Sequence, residues 1–288
     1  MSQISVTAFC PGHISGYFKR VAGADPAATG SIGAGIVISE GVAAMVSPSD
    51  TTSICIRQHS SVRDKPFISD SSPPLSFVLE KLGVNAAITT DCNLPIGAGF
   101  GLSAAALLST LTAVNRLFGL GLSAHDIALS AHEAEVIHRT GLGDVSACQG
   151  GGRVLRKGPG IDADITRAFD IREPLYAVSF GPIHTPSVLG SPEQMARVSA
   201  AFPGSYPEDP AGFFHLSRQF ARESGLVTHE VETVLLRCEE EGVLSSMTML
   251  GNGVFACGRN ARRVLGEFGI VYEFEVAKAG ARITGESR

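Results

Sequence analysis

The chain has no paired cysteines: Cys10, Cys55, Cys92, Cys148, Cys238 and Cys257 are scattered, and no C-x-x-C occurs. At 288 residues it is too long to need disulfide staples, so free thiols in a reducing cytoplasm are expected. Clustered cations are missing too. Lys and Arg number 23 against 28 Asp and Glu, and they are dispersed. An extended nucleic-acid surface needs massed cations to displace counterions, so no nucleic-acid partner is expected. The most apolar stretch, Leu94 to Leu108, is broken by Pro95 and three glycines, which excludes a membrane span there. The start, MSQISVTAF, lacks the basic residues and unbroken apolar core of a signal peptide. A cytoplasmic protein with no membrane partner is therefore expected. The histidines, including His59, His184 and His215, form no metal-ligand spacing, and there is neither an internal repeat nor a low-complexity tract.

What is present is enough for a packed core, since apolar residues make up 44%. Strand-like and helix-like stretches alternate in both halves, and two domains are expected, 1–160 and 161–288. Ile4 to Phe9 reads as a short strand ending at Pro11-Gly12. Further strands are expected at Ile36 to Val46, Thr52 to Gln58, Asn85 to Thr90, Leu175 to Phe180, Met247 to Gly258 and Val271 to Val276. Helices are expected from Leu75 to Leu82, Ser103 to Phe118, Ser123 to about Thr140, after Gly143, from Gly212 to Ser224 and from Glu230 to Glu241. The segment Gly181 to Pro192 reads as a loop.

The informative segment is Leu94-Pro-Ile-Gly-Ala-Gly-Phe-Gly-Leu-Ser-Ala-Ala-Ala. Glycines on alternate positions permit φ > 0 and a close approach of backbone amides to a ligand. At a helix N-terminus, those amides and the helix dipole make a phosphate site. Ser103 stands where its hydroxyl reaches a metal or phosphate oxygen; the bland alternative is a tight strand-to-helix turn. A P-loop is excluded because no Lys stands in the segment. The protein-kinase set is absent as well: His138-Arg139-Thr140 has no catalytic Asp and there is no D-F-G. Gly99 to Ala104 fits the dinucleotide pattern G-x-G-x-x-A, but Asp91-Cys-Asn-Leu-Pro separates it from its strand and the acidic partner is missing.

The segment instead resembles the second motif of the GHMP kinases, P-x-x-x-G-L-G-S-S-A, through Pro95, Gly99, Gly101, Ser103 and Ala104. Phe100 and Leu102 depart from it. Three other stretches resemble family motifs in the right order. Ala8-Phe-Cys-Pro-Gly-His is similar to the first, with His13 in place of a basic residue. Glu133-Ala-Glu-Val-Ile-His-Arg-Thr-Gly-Leu-Gly-Asp is similar to a helix bearing a metal-binding Glu and a loop bearing an Asp. Met249-Leu-Gly-Asn-Gly-Val-Phe-Ala-Cys-Gly is similar to the third motif. Pro11-Gly-His-Ile-Ser-Gly-Tyr-Phe, Gly30-Ser-Ile-Gly-Ala-Gly and Thr140-Gly-Leu-Gly-Asp-Val are similar to the pantoate kinases of archaea.

The resemblance implies the two-domain α+β GHMP kinase fold: an N-terminal α/β domain like ribosomal protein S5 domain 2, and a ferredoxin-like C-terminal domain. It implies ATP and Mg²⁺ as cofactors, pantoate as the small-molecule partner, and a homodimer by analogy. The nucleotide loop would be Pro95, Gly97, Gly99, Phe100, Gly101, Leu102, Ser103 and Ala104. Ser103 and Glu135 would hold the metal, with Glu133 as the other choice for the carboxylate. Asp144 would orient or deprotonate the acceptor hydroxyl; it is also a good helix cap. His13, Gly251 and Asn252 would border the acceptor, whose carboxylate calls for an Arg. Arg20 stands nearest the first motif, with Arg57 and Arg63 as alternatives. Competing readings are a homoserine, mevalonate or shikimate kinase, a non-catalytic sensor, or a nicotinamide-dependent oxidoreductase.

Overall fold

The structure, a computed structural model, describes residues 4–59 and 67–287. Its spine is a long antiparallel hairpin of β1 (Ser5–Val21) and β2 (Gly30–Pro48). The first strand does not stop at Pro11-Gly12, as its sequence led one to expect. It continues to Val21, and the ladder shifts register between Pro11 and Gly12. Proline has no N–H for the ladder and is tolerated at such a bulge, which bends the hairpin. Before the bulge, β2 pairs with β5 (Ala86–Cys92); beyond it, β2 pairs with β6 (Arg153–Arg156). The bend therefore separates two differently partnered halves of one ladder.

Around this spine the chain adds β3 (Ser53–Gln58), β4 (Phe67–Ser69) and α1 (Pro73–Leu82) before β5. Helix α1 stops at Gly83, whose φ of 65° supplies the left-handed cap. After β5 come α2 (Leu102–Phe118), α3 (Ala124–His138), α4 (Asp144–Cys148), β6 and β7 (Ile165–Ala168). Helix α3 starts on a capping box in which Ser123 and Asp126 satisfy each other's backbone N–H. Helix α2 packs across β1 and β2. The sheet runs β12-β1-β2-β5-β3-β4, with β6 and β7 branching from β2.

The remaining chain builds a second sheet, ordered β11-β8-β10-β9. Its elements are β8 (Leu175–Pro182), α5 (Thr185–Leu189), α6 (Pro192–Ala200), α7 (Pro210–Glu223), α8 (His229–Glu240), β9 (Leu244–Met247), β10 (Gly251–Cys257), α9 (Ala261–Gly266) and β11 (Tyr272–Phe274). The stretch read as a loop after Gly181 contains α5, which Pro186 helps to start. The single strand expected from Met247 to Gly258 is two strands joined by a turn. The last strand, β12 (Arg282–Ser287), returns to pair with β1 in the first sheet. One apolar core links the sheets: Tyr17 and Phe18 of β1 meet Phe220 of α7, and Tyr17 also meets Phe202. Gly16 keeps this contact close, because a Cβ there would lie 2.7 Å from the Phe213 ring. Among the described residues, no helix is long and apolar enough to cross a membrane.

Candidate active site

The glycine loop lies at the seam between the sheets. Gly97, Gly99 and Gly101 have φ of 78°, 84° and 62°, the conformation that alternate glycines permit. Packing requires glycine here as well. A Cβ on Gly99 would lie 2.8 Å from the Met249 carbonyl, and one on Gly101 2.9 Å from that of His13. The loop is pinned from three sides: His13 N–H donates to Phe100 O (2.9 Å), Ile183 N–H to Gly97 O (3.0 Å), and Ile96 N–H to Gln58 Oε1 (2.9 Å). Gly12 gives the first strand room against Phe100 O, 2.6 Å from where a Cβ would stand. Gly101 is the N-cap of α2 and offers its first-turn amides no side-chain partner.

These amides border a cleft of about 600 Å³, within the size range of small-molecule sites. Gly97, Gly99, Phe100, Gly101, Leu102 and Ser103 line it, as do Glu135 and Asp144. Pro95 and Ala104 of the same motif do not; Ala104 is fully buried.

Asp144 opens α4, and its Oδ1 lies 2.7 Å from His13 Nδ1. His13 is fully buried, and its Nε2 has no partner. Burial lowers the His13 pKa against the pull of Asp144. The imidazole is therefore neutral and donates from Nδ1; an imidazolium would bury an unpaired second N–H. Burial opposes ionisation of Asp144, yet the His13 hydrogen bond and the Arg156 charge outweigh it and hold its pKa below the usual carboxylate range. Asp144 is thus an ionised carboxylate with a fifth of its side chain (22%) still exposed.

Glu135 is the opposite case. Burial first, then the charge of Asp144, push it up to about 8, against the pull of hydrogen bonds from Ser103 and Thr140. Thr140 Oγ1 donates to its Oε1 at 3.1 Å, whereas Oε2 is buried without a partner. Glu133, two residues away on α3, turns outward to pair with Lys81. The fold thus separates two carboxylates that helical periodicity alone left equivalent.

The expected arginines are not at the cleft. Arg20 is exposed at the far end of β1, Arg57 is exposed on β3, and neither lines the cleft; Arg63 lies outside the described residues. Gly251 is buried under the glycine loop, where a Cβ would meet Ala98 at 2.0 Å. Asn252 accepts a hydrogen bond from Thr228 Oγ1 (2.8 Å). Their neighbours Met249 and Leu250 line the cleft instead.

A residue with no sequence signal stands out. Arg156, at the end of β6, is 2% exposed, and its Nε and Nη1 have no partner. Its guanidinium sits directly behind Gly143, where a Cβ would lie 2.7 Å from Nε and 2.5 Å from Ser31 Oγ. Ser31, Gly143 and Asp144 line a small recess beside the cleft, together with Ser15 and the apolar residues Phe18, Leu142, Leu189 and Leu250.

The N-cap of α4 is Gly143, so Asp144 stands in the first turn and does not cap the helix; with the cleft described, the whole chain can be compared with known proteins. Residues 75–152 match the model of the GHMP kinases N-terminal domain. A pantoate kinase from Methanospirillum hungatei is 49% identical over 98% of both chains. The chain belongs to the GHMP kinase superfamily, in its pantoate kinase family. A second pantoate kinase, from Thermococcus kodakarensis, is 31% identical and spans 93% of this chain and 94% of its own. A solved structure described as a phosphotransferase related to the CoA biosynthesis pathway superposes with a TM-score of 0.81 at 25% identity, covering 97% of this chain and 98% of that one. As a GHMP kinase the chain has the two-domain α+β fold of that superfamily and is an ATP-dependent phosphotransferase acting on a small molecule.

Proposed function

We propose that this GHMP kinase transfers the γ-phosphoryl group of ATP to the primary hydroxyl of pantoate, giving 4-phosphopantoate for coenzyme A synthesis. The observation that carries the acceptor assignment is Arg156: a buried cation with two unpartnered N–H groups, its charge acting on Asp144 and its guanidinium directly behind Gly143, which lines the recess. A guanidinium with free donors suits a carboxylate. The recess itself is only about 20 Å³, so the acceptor's bulk fits the cleft where the two meet, at Ser15, Asp144 and Leu250, with the apolar Phe18, Leu142 and Leu189 behind to suit the methyl groups of pantoate.

The glycine loop and the uncapped first turn of α2 hold the ATP phosphates through backbone amides. Asp144, fixed by His13, orients the acceptor hydroxyl and takes its proton as the O–P bond forms and ADP departs. Phosphoryl transfer asks the protein mainly for positioning and charge stabilisation. Glu135 and Ser103 fit a Mg²⁺ carried on the nucleotide, because the Glu135 Oε2 atom is buried without a partner. Among the described residues no three His, Cys, Asp or Glu converge on a metal site. That suits an ion held by one or two carboxylates plus phosphates, whose charge it would neutralise. Action in a reducing cytoplasm accords with six free cysteines.

The test is ADP release by the purified protein with Mg·ATP and, separately, pantoate, pantothenate, mevalonate, homoserine and shikimate. Turnover with pantoate is expected. Turnover with a different acid of the panel alone would overturn the acceptor assignment while leaving the phosphotransferase chemistry intact.

A further inference from the structure

Among the described residues, two other than glycine have positive φ, Arg139 at 56° and Leu250 at 62°. Arg139 is the exposed cap of α3, and its N–H closes on Glu135 O and Val136 O, an ordinary place for that geometry. Leu250 is the third residue of a four-residue turn closed by Gly251 N–H on Thr248 O, a position that takes positive φ but favours glycine or asparagine over leucine. It sits in the turn between β9 and β10, next to Gly251, in a conformation that glycine adopts freely and leucine does not.

The turn has no freedom to relax. Gly251 N–H donates to Thr248 O (2.9 Å), and Thr248 N–H donates to Gly253 O (3.0 Å). Gly251 is pressed onto Ala98, and the carbonyls of Thr248 and Met249 press onto Gly99. Clamped to the nucleotide loop in this way, the turn places Leu250 on the boundary between the cleft and the recess, both of which it lines. Strain that the surroundings hold in place at a ligand site points to use by the ligand.

We infer that Leu250 is a specificity-determining residue: its side chain completes the apolar wall against which the branched carbon of the acceptor packs. This rests on the pantoate reading above. A linear hydroxy acid leaves a gap against Leu250, Leu142 and Leu189, whereas pantoate fills it with its methyl pair. One or two methyl contacts in such a pocket discriminate by roughly 10–200-fold.

The experiment compares pantoate with 2,4-dihydroxybutyrate, the same acid without the two methyl groups, in the full chain and in Leu250→Gly, Leu250→Ala and Leu250→Met. The unaltered protein is expected to prefer pantoate in kcat/KM. Leu250→Gly, which releases the backbone strain, and Leu250→Ala, which keeps it, are each expected to cut that preference by roughly 10-fold or more, chiefly through the KM for pantoate. Leu250→Met is expected to keep it, and the KM for ATP is expected to hold in all three. An unchanged preference in Leu250→Gly or Leu250→Ala, with a cooperative melt, overturns the inference. So does an equal fall in kcat for both acids with KM unmoved, the mark of a merely structural role. Failure of the unaltered protein to phosphorylate pantoate refutes the acceptor reading itself, and is distinct from both.

Discussion

Glu135→Gln should make the protein more stable in alkaline solution while disabling it. In the folded chain burial raises the Glu135 pKa from 4.5 to about 8. Between those values the folded state keeps a proton that the unfolded chain releases, so stability falls as pH rises and the loss is complete above pH 8. Each pH unit in that window corresponds to about 1.36 kcal/mol, so the whole interval is worth on the order of 5 kcal/mol. Glutamine keeps the acceptor for Thr140 Oγ1 and carries no charge to desolvate. The variant should melt close to the unaltered protein near pH 5. The difference should then widen steadily to roughly 5–10 °C at pH 8 and level off beyond. Thermal unfolding followed by circular dichroism at half-unit intervals from pH 5 to 9 measures it. Parallel melting curves for the two proteins across that range would refute the reasoning, because they would mean that Glu135 titrates normally. In ATP turnover the same variant should lose at least two orders of magnitude, having lost the carboxylate proposed for the metal.

Asp144→Asn should lower kcat by roughly 10²–10⁴-fold while still melting cooperatively, checked by ADP release; near-normal turnover would remove Asp144 from the chemistry. Arg156→Met should raise the KM for pantoate by roughly 10–100-fold, the equivalent of losing a charge-assisted hydrogen bond of about 1.5–3 kcal/mol, with little effect on the KM for ATP. Gly35→Ala would place a Cβ 2.1 Å from His13 Nε2 and 2.5 Å from Ile14 O. Overpacking of this kind costs about 1–3 kcal/mol, so the midpoint of urea unfolding should fall, and activity with it as His13 is pushed off Asp144.

Local chemistry was legible in the chain from the start. Alternate glycines before a run of Ala and Leu predict a left-handed loop feeding a helix, and all three of Gly97, Gly99 and Gly101 have positive φ. Ser123 and Gly83 mark helix ends because a cap is decided by a few neighbouring residues. The order of the motifs along the chain was enough to reach the GHMP kinases. Elements needing distant partners were harder to read. Pro11 looks like a stop in isolation, yet β2 continues the ladder past it through a bulge.

The residues proposed for the metal and the acceptor are distinguished by tertiary structure alone. Glu133 and Glu135 are two residues apart on one helix, and only the packing of α1, which brings Lys81 to Glu133, and of α4, which brings Asp144 towards Glu135, distinguishes them. Arg156 ends a strand segment, Arg-Val-Leu-Arg, in which nothing separates it from Arg153. Arg153 finds Asp170 as a partner, while Arg156 is folded behind Gly143 with donors to spare. Sequence patterns report what a residue does to its own backbone. The unpaired donor and the raised carboxyl arise from burial against distant segments, so they exist only once the two sheets have closed around the glycine loop.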